Sequence, residues 1–93
     1  MATEDKTSNA DSLLNVRVMS STGVLFNDKV CSLSSQNSKG KFDVLPQHAN
    51  FITLVENRPI VVVRKGGEKV KWEYRLAVIH VIEDSVNIYV QLV

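Results

Sequence analysis

The residues that could carry acid–base, nucleophilic or metal chemistry are few and widely separated. The chain has one cysteine, Cys31, and two histidines, His48 and His80, and neither histidine has a second ligand at the spacing of a metal site. Nucleophilic catalysis would need a Cys31–His48 pair, but a small buried thiol is the simpler interpretation of a lone cysteine. No CxxC, HExxH or glycine-rich phosphate-binding motif is present. We therefore predict no catalytic residue, no cofactor and no metal site.

A basic cluster in the C-terminal half could instead face nucleic acid, with Trp72 and Tyr74 as stacking platforms. The cluster consists of Arg58, Arg64, Lys65, Lys69, Lys71 and Arg75. In the segment that carries the two rings, however, apolar and charged residues alternate, which places the rings on the face opposite the charges. Glu68 and Glu73 dilute the cluster, and the formal net charge is only +1. We interpret the cluster as a solvated edge, predict that Trp72 is a core anchor, and expect no nucleic acid partner.

Length and composition indicate one small globular domain. The chain has 93 residues, of which 44% are hydrophobic and 23% are charged, which is ordinary globular usage and excludes a disordered protein or a coiled coil. Residues 1–12 are polar and are predicted to form a flexible tail, so the folded domain should span residues 13–93. No signal peptide is recognisable, and the longest apolar runs are too short to cross a bilayer. We expect a cytoplasmic protein without direct membrane insertion.

Hydrophobic periodicity predicts strands along most of the chain. Leu14–Val18 alternates with period two, and Val70–Leu76 does so strictly. The second segment is predicted to form a hairpin with Ile60–Arg64 through Gly66 and Gly67. A final hairpin is predicted for Ala77–Leu92. Because no sustained helical period is present, the chain is predicted to be an all-β sandwich or barrel.

Three details of this interpretation depend on local signals. Val24–Phe26 and Val30–Leu33 are predicted to be two short strands, and Ser34–Gly40 is predicted to be a polar loop. The apolar phase changes from even to odd positions after Leu76, so a bulge or break should lie near Leu76–Val78. A sandwich of this kind, with no visible active site, is expected to bind another protein.

The segment Gly40–Thr53, GKFDVLPQHANFIT, resembles the pattern G-x-F-G-[IV]-L-P-G-H-A-P-x-[LIV]-T of the epsilon subunit of F-type ATP synthase, called delta in mitochondria. Other segments agree with this family in order and spacing: Val16–Phe26, Ile60–Gly67, Val78–Val81 and Val86–Val90. The sequence departs from the pattern at Asp43 and Gln47, where the family has glycine, and at Asn50, where it has proline. We therefore expect a divergent member that lacks the family's C-terminal helical hairpin.

The resemblance implies a flattened β-sandwich of about ten short, mostly antiparallel strands and a non-catalytic role in the central stalk of a proton-translocating synthase. The implied partners are the gamma subunit and the c-ring. The implied location is the inner face of an energy-transducing membrane, reached through the synthase complex. There the chain would couple proton flow and rotation to ATP synthesis. A stand-alone protein-binding adaptor that diverged from the family is the alternative.

The resemblance also suggests which residues meet the partners. His48 matches the family histidine in the region that faces gamma, and Ser20 falls on a loop that faces the same subunit. Lys41 occupies an often acidic position near the c-ring loop, and such a reversal of charge would weaken or redirect docking. Phe42 and Pro46 are expected to shape and anchor the loop. We predict a partner interface made of these five residues.

Overall fold

A computed structural model describes residues 12–91 of the chain. Within that range the backbone forms eight strands and no helix: β1 Leu14–Ser20, β2 Gly23–Asn37, β3 Gly40–Val44, β4 Phe51–Val55, β5 Arg58–Arg64, β6 Lys69–Tyr74, β7 Leu76–Ile82 and β8 Ser85–Gln91. The predicted all-β fold is confirmed, and no helix able to cross a membrane occurs among these residues. The flexible tail predicted for residues 1–12 lies, apart from Ser12, outside the described residues.

The strands form one curled sheet in the order β4-β7-β8-β1-β2-β5-β6, with β3 added to β2. All neighbouring strands run antiparallel except β1 and β8, which are parallel. The 15-residue strand β2 belongs to both halves of the sheet, because its first half pairs with β1 and its second half pairs with β3 and β5. We call β4, β7, β8, β1 and the first half of β2 the five-strand layer. The second half of β2, with β3, β5 and β6, is the four-strand layer.

Both layers turn their inward side chains into one apolar core. Alternation along the strands supplies its fully or almost fully buried members: Leu14, Val16, Val18, Val30, Leu33, Val44, Val55, Ile60, Val62, Ala77, Ile79, Val81, Val86, Ile88 and Val90. Two edge-to-face ring pairs join the layers, with centroid distances of 4.8 Å for Phe26–Trp72 and 5.6 Å for Phe42–Phe51. Trp72 packs against the core, as predicted, while its neighbour Lys71 is exposed.

Both predicted hairpins are present, since β5 pairs with β6 and β7 pairs with β8. The phase change predicted near Leu76–Val78 is a break between strands: β6 ends at Tyr74, the chain bends at Arg75, and β7 begins at Leu76. The more buried positions are therefore even-numbered in β6 and odd-numbered in β7. Leu76 belongs to β7 and not, as predicted, to the inward face of β6.

The prediction of a polar loop at Ser34–Gly40 is wrong for its first half, because β2 continues to Asn37. The two short strands predicted before this loop are parts of the same strand β2. The inward polar groups of this stretch find partners. The Ser35 hydroxyl donates to the Pro59 carbonyl oxygen at 2.9 Å, and the Asn37 side-chain amide donates to the Thr53 hydroxyl oxygen at 2.9 Å. A strand can carry inward polar side chains when each is hydrogen-bonded.

The prediction that Cys31 is a small buried thiol is also wrong, because Cys31 is exposed. The register of β2 on β5 shifts between Val30 and Ser32, so Cys31 is the extra residue of a β-bulge. A bulge interrupts the alternation of side chains, and the residue it adds is left out of the ladder. Hydrophobic pattern alone does not reveal such a bulge.

Candidate partner-docking site

The outer side of the five-strand layer carries a row of neighbouring apolar side chains. In register from β4 to β2 its members are Leu54, Val78, Tyr89, Met19 and Val24. Alternation with the buried residues of the same strands turns these side chains outward. Leu54 and Tyr89 are each 48% exposed, and Val24 is 52% exposed. We call these five residues the apolar row.

Most of the exposed large hydrophobic residues in the described stretch lie on this side. There are seven of them, and five are on the outer side of the five-strand layer: Val24, Ile52, Leu54, Ile82 and Tyr89. Single exposed hydrophobic residues are ordinary on soluble proteins, whereas a contiguous group marks a site of interaction. The outer side of the five-strand layer is therefore the candidate docking site.

A second, mostly polar row runs beside the apolar row, nearer the N-terminal end of β1. Its members in the same strand order are Ile52, His80, Asn87, Arg17 and Asn27; we call them the polar row. A shallow groove of about 280 Å³ adjoins Leu54, and its remaining walls are Gln36, Asn37, Ser38, Glu56 and Arg58. The candidate site thus combines an apolar centre with hydrogen-bonding groups on its borders.

The outer side of the four-strand layer has a different character. Lys71 and Glu73 are exposed on β6, and Lys41 and Asp43 are exposed on β3. The Ser34 hydroxyl donates a hydrogen bond to the Asp43 carboxylate at 2.5 Å. Charges and hydroxyl groups of this kind are well solvated, whereas most of the exposed large hydrophobic residues lie on the five-strand layer.

The segment Leu45–His48 forms a tight corner after β3. The His48 backbone N–H donates to the Leu45 carbonyl oxygen at 3.1 Å, which closes a turn with Pro46 second and Gln47 third. Proline favours the second position of such turns, and the third position of a type II turn requires a positive φ. Gln47 has a φ of 69°, a conformation that glycine adopts with the least strain. The glycine of the family pattern at this position therefore has a physical reason, and Gln47 preserves the same backbone.

Two hydrogen bonds attach this corner to the turn between β7 and β8. The Gln47 backbone N–H donates to Oδ1 of Asp84 at 2.7 Å, and the Glu83 backbone N–H donates to Oδ1 of Asn50 at 2.7 Å. Asn50 stands where the family pattern has proline, and a proline side chain could not accept this bond. The departures at Gln47 and Asn50 therefore leave the corner anchored.

An aromatic cluster connects the corner to the core and brings three of the predicted interface residues together. The His48 and Phe51 rings are tilted by 48° at a centroid distance of 5.0 Å, and Phe51 meets Phe42 edge to face. Nδ1 of His48 donates to the Ala49 carbonyl oxygen at 2.6 Å, which fixes the orientation of the ring. Phe42, His48 and the turn residue Pro46 thus belong to one anchored unit.

Lys41 lies outside this unit. It precedes Phe42 on β3, so alternation puts the two side chains on opposite sides of the strand. Lys41 is exposed and pairs with Gln36 on the outer side of the four-strand layer. A contact through Lys41 would therefore use a different surface from the apolar row.

Ser20 is also far from the corner. It ends β1 next to Met19 of the apolar row, and its hydroxyl oxygen accepts a hydrogen bond from the Thr22 backbone N–H at 3.2 Å. At the other end of β1, the Asn15 backbone N–H donates to the Asp84 carbonyl oxygen at 2.8 Å. Five residues of strand, about 17 Å, separate Ser20 from this anchoring point. Ser20 borders the apolar row, whereas His48 borders the opposite end of the same layer.

Sequence reasoning does not find the apolar row, because its members come from five strands and become neighbours only through the register. One signal is readable in the sequence. Tyr89 stands between Ile88 and Val90, so a large ring occupies the outward phase of an otherwise regular strand. Tyr89 is thus the member of the apolar row whose outward position the sequence marks most clearly.

No catalytic arrangement emerges from residues 12–91. Within that range no group of three or more His, Cys, Asp or Glu side chains could hold a metal ion. Cys31 lies at the β2 bulge, and the hydrogen bond of the His48 ring goes to a backbone carbonyl oxygen.

Comparison with known proteins identifies the family. Residues 13–93 match the family model described as ATP synthase, delta/epsilon chain, beta-sandwich domain. The ATP synthase epsilon chain of Sulfurovum sp. (strain NBC37-1) is 33% identical over 58 residues, which are 62% of this chain and 45% of that protein. The ATP synthase epsilon chain of Campylobacter concisus (strain 13826) is 40% identical over 43 residues, which are 46% of this chain and 33% of that protein. The matched region thus spans less than half the length of either curated relative.

Solved structures share the fold at low sequence identity. A chain of the Euglena gracilis mitochondrial ATP synthase, solved with OSCP, F1 and c-ring in rotational state 1, superposes with a TM-score of 0.79 at 16% identity; the match covers 85% of this chain and 51% of that one. A chain of the Tetrahymena thermophila mitochondrial ATP synthase central stalk and c-ring gives a TM-score of 0.71 at 10% identity, covering 84% and 63%. The resemblance inferred from the sequence is confirmed: the chain belongs to the ATP synthase delta/epsilon family and represents its β-sandwich domain.

Proposed function

We propose that this chain is a non-catalytic part of the central stalk of a proton-translocating F-type ATP synthase. It docks on the gamma subunit and the c-ring and helps to couple proton flow and rotation to ATP synthesis. The complex holds it at the cytoplasmic, inner face of an energy-transducing membrane. Family membership supports the synthase assignment, and the solved neighbours come from synthase assemblies that contain a c-ring.

The apolar row is the observation that carries the docking proposal. Its side chains point away from the core, so their burial awaits another molecule. Buried apolar surface contributes roughly 25 cal/mol per Å², and interface centres are enriched in aromatic residues and methionine. Tyr89 occupies the middle of the row, between Val78 and Met19, which is where residues that dominate binding are usually found. We assign the apolar row to the gamma subunit.

Under this proposal the sequence-predicted residues divide between two partners. Ser20 borders the apolar row and His48 belongs to the corner at the other end of the same layer, so both are assigned to the gamma side. Phe42 and Pro46 hold that corner in shape. Lys41 lies on the other outer surface, at strand β3, and is assigned to the c-ring.

The alternative, a stand-alone adaptor, would cover the apolar row with an unrelated partner. The departures that motivate it include Gln47 and Asn50. The turn and its two hydrogen bonds to the β7–β8 turn persist around both residues. These changes therefore leave the corner beside the candidate docking site in place. We therefore favour the stalk role.

Binding to the F1 complex of the same organism, purified without its own epsilon subunit, tests the proposal. We expect the wild-type chain to bind, as measured by biolayer interferometry. Tyr89→Ser should raise the dissociation constant at least tenfold, which corresponds to a loss of about 1.4 kcal/mol of binding free energy. The matched control, Lys71→Ser on the outer side of the four-strand layer, should stay within about twofold of wild type. Absence of wild-type binding would exclude the stalk role. Equal weakening by both variants would exclude the apolar row as the docking site.

A further inference from the structure

Arg17 is an exposed cation within the polar row, and the register gives it no acidic neighbour. It lies between Asn27 on β2 and Asn87 on β8. Among residues 12–91, the ion pairs that form involve Arg64, which contacts Asp28 and Glu68. The positive charge of Arg17 is therefore uncompensated on the side of the molecule that carries the apolar row.

The acidic residues of the described stretch lie outside the apolar row and the polar row; Glu56 lines the groove beside Leu54, and Glu83 is exposed in the turn between β7 and β8. Asp43 and Glu73 belong to the outer side of the four-strand layer. Asp84, in the turn between β7 and β8, accepts the hydrogen bond from Gln47. The next row beyond Arg17 contains Asn15, Ser85 and Lys29, which adds a second cation and no acid. The two rows beside the apolar row thus contain the cations Arg17 and Lys29 and no acidic residue.

A partner that covers the apolar row also reaches Arg17. Met19 of the apolar row is two residues away on β1, about 7 Å along the strand. A guanidinium that loses water without gaining a counter-charge is strongly destabilising. Its fork of N–H donors fits a carboxylate with two parallel hydrogen bonds, which also fixes the orientation of the two surfaces.

We propose that the partner surface docking on the apolar row carries a carboxylate that pairs with Arg17, and that this pair sets the register of docking. The inference rests on the proposed function, since the gamma subunit is the partner it describes. The partner therefore has an apolar ridge flanked, on the side facing the polar row, by an Asp or Glu. The apolar row supplies most of the affinity, and Arg17 selects the correct alignment.

The test measures binding of the epsilon-free F1 complex to three Arg17 variants at low and physiological salt. Arg17→Gln should weaken binding about tenfold, and Arg17→Glu should weaken it about a hundredfold because it places two acids together. Arg17→Lys should retain more binding than Arg17→Gln because it keeps the charge but loses the bidentate geometry. The salt dependence of binding should fall in Arg17→Gln. Lys69→Glu, on the other layer, is the control for a general change of net charge.

The outcomes separate the inference from the proposed function. If Tyr89→Ser weakens binding while Arg17→Glu binds like wild type, the proposed pairing of Arg17 with a carboxylate is wrong, but the proposed docking on the apolar row is retained. If wild type does not bind, the proposed function and the inference both fail. If Arg17→Glu and Lys69→Glu weaken binding equally, the effect is one of net charge and the pair is again wrong. Restoration of Arg17→Glu binding by an Asp or Glu to Arg change in gamma would identify the partner residue.

Discussion

The two outer sides of the sandwich differ in chemistry although they cover the same core. The five-strand layer exposes the apolar row, whereas the four-strand layer exposes Lys71 on β6 and Lys41 and Asp43 on β3. The outward valines of the four-strand layer, Val61 and Val63, are partly exposed, as are Met19 and Val78 of the apolar row, but the four-strand layer has no counterpart of the exposed Leu54, Tyr89 and Val24. Both sides satisfy the period-two rule on their inward faces, so folding alone does not require the difference.

This contrast distinguishes residues that stabilise the domain from residues that serve a partner. Inward residues of both layers meet in one core and are needed for stability. Outward apolar residues contribute little to that core, and under the proposed function their concentration on one layer serves contact with the gamma subunit. Changes on the inward face should therefore affect unfolding, and changes on the outward face of the five-strand layer should affect binding.

The largest expected effect is on the inward side of β8. Ile88 is 0% exposed, and Ile88→Ala should lower the free energy of unfolding by about 2–5 kcal/mol because it leaves a cavity in the core. Urea denaturation measures the change. Its neighbour Tyr89→Ser should keep a midpoint much closer to that of wild type. A wild-type midpoint for Ile88→Ala would mean that the inward and outward faces of β8 are assigned wrongly.

A matched pair of acidic substitutions compares the two outer sides directly. Met19→Glu should weaken binding to the epsilon-free F1 complex by about 2 kcal/mol or more, because an uncompensated charge would be buried in the interface. Val61→Glu makes a similar change on the four-strand layer and should alter binding by less than about 0.5 kcal/mol. Isothermal titration calorimetry gives both values. Similar losses from the two variants would remove the distinction between the outer sides.

His48 tests whether docking extends from the apolar row to the corner. His48→Ala should weaken binding by about 1 kcal/mol, as expected for truncation of an interface contact of moderate size. Because the ring also packs on Phe51, thermal melting must be recorded for the same variant. Unchanged binding by the folded variant together with a lower melting temperature would make His48 a structural residue.

The smallest expected effect concerns the backbone of the corner. Gln47→Gly should raise the free energy of unfolding by about 0.5–1 kcal/mol, because glycine adopts the positive φ of this position with less strain. The hydrogen bond to Asp84 comes from the backbone and is retained. Ala49→Gly, at a position without positive φ, is the control and should not stabilise. Destabilisation by Gln47→Gly would show that the Gln47 side chain contributes more than its conformation costs.

Much of the fold was predictable because alternation is a local property. The strand at Leu14–Val18 and the hairpins after Ile60 are readable from spacing alone, and the change of phase after Leu76 correctly signals a discontinuity. The continuity of β2 was not predictable. Its inward residues Ser35 and Asn37 look like loop residues until their hydrogen-bond partners on β5 and β4 are known.

The candidate site was less predictable than the fold. The conserved-looking motif of the resemblance points to Pro46 and His48, and the structure gives both a clear place in the corner. The apolar row depends on the pairing of β1 with β8, two strands that are distant in sequence and parallel in space. Local patterns do not contain this pairing, so Tyr89 and Met19 became neighbours only in three dimensions.

Strand β2 has a mechanical consequence under the proposed role of the domain in a rotating stalk. Its 15 residues, at roughly 3.3 Å each, form one continuous strand with a contour length of about 50 Å. The strand starts beside the apolar row and ends at Asn37, whose side chain hydrogen-bonds to Thr53 of β4. A torque applied at the docking side therefore reaches the opposite layer along peptide bonds, without shearing the hydrogen bonds between strands. Because the core between the layers is close-packed and resists compression, the domain should turn as a solid body and not slip.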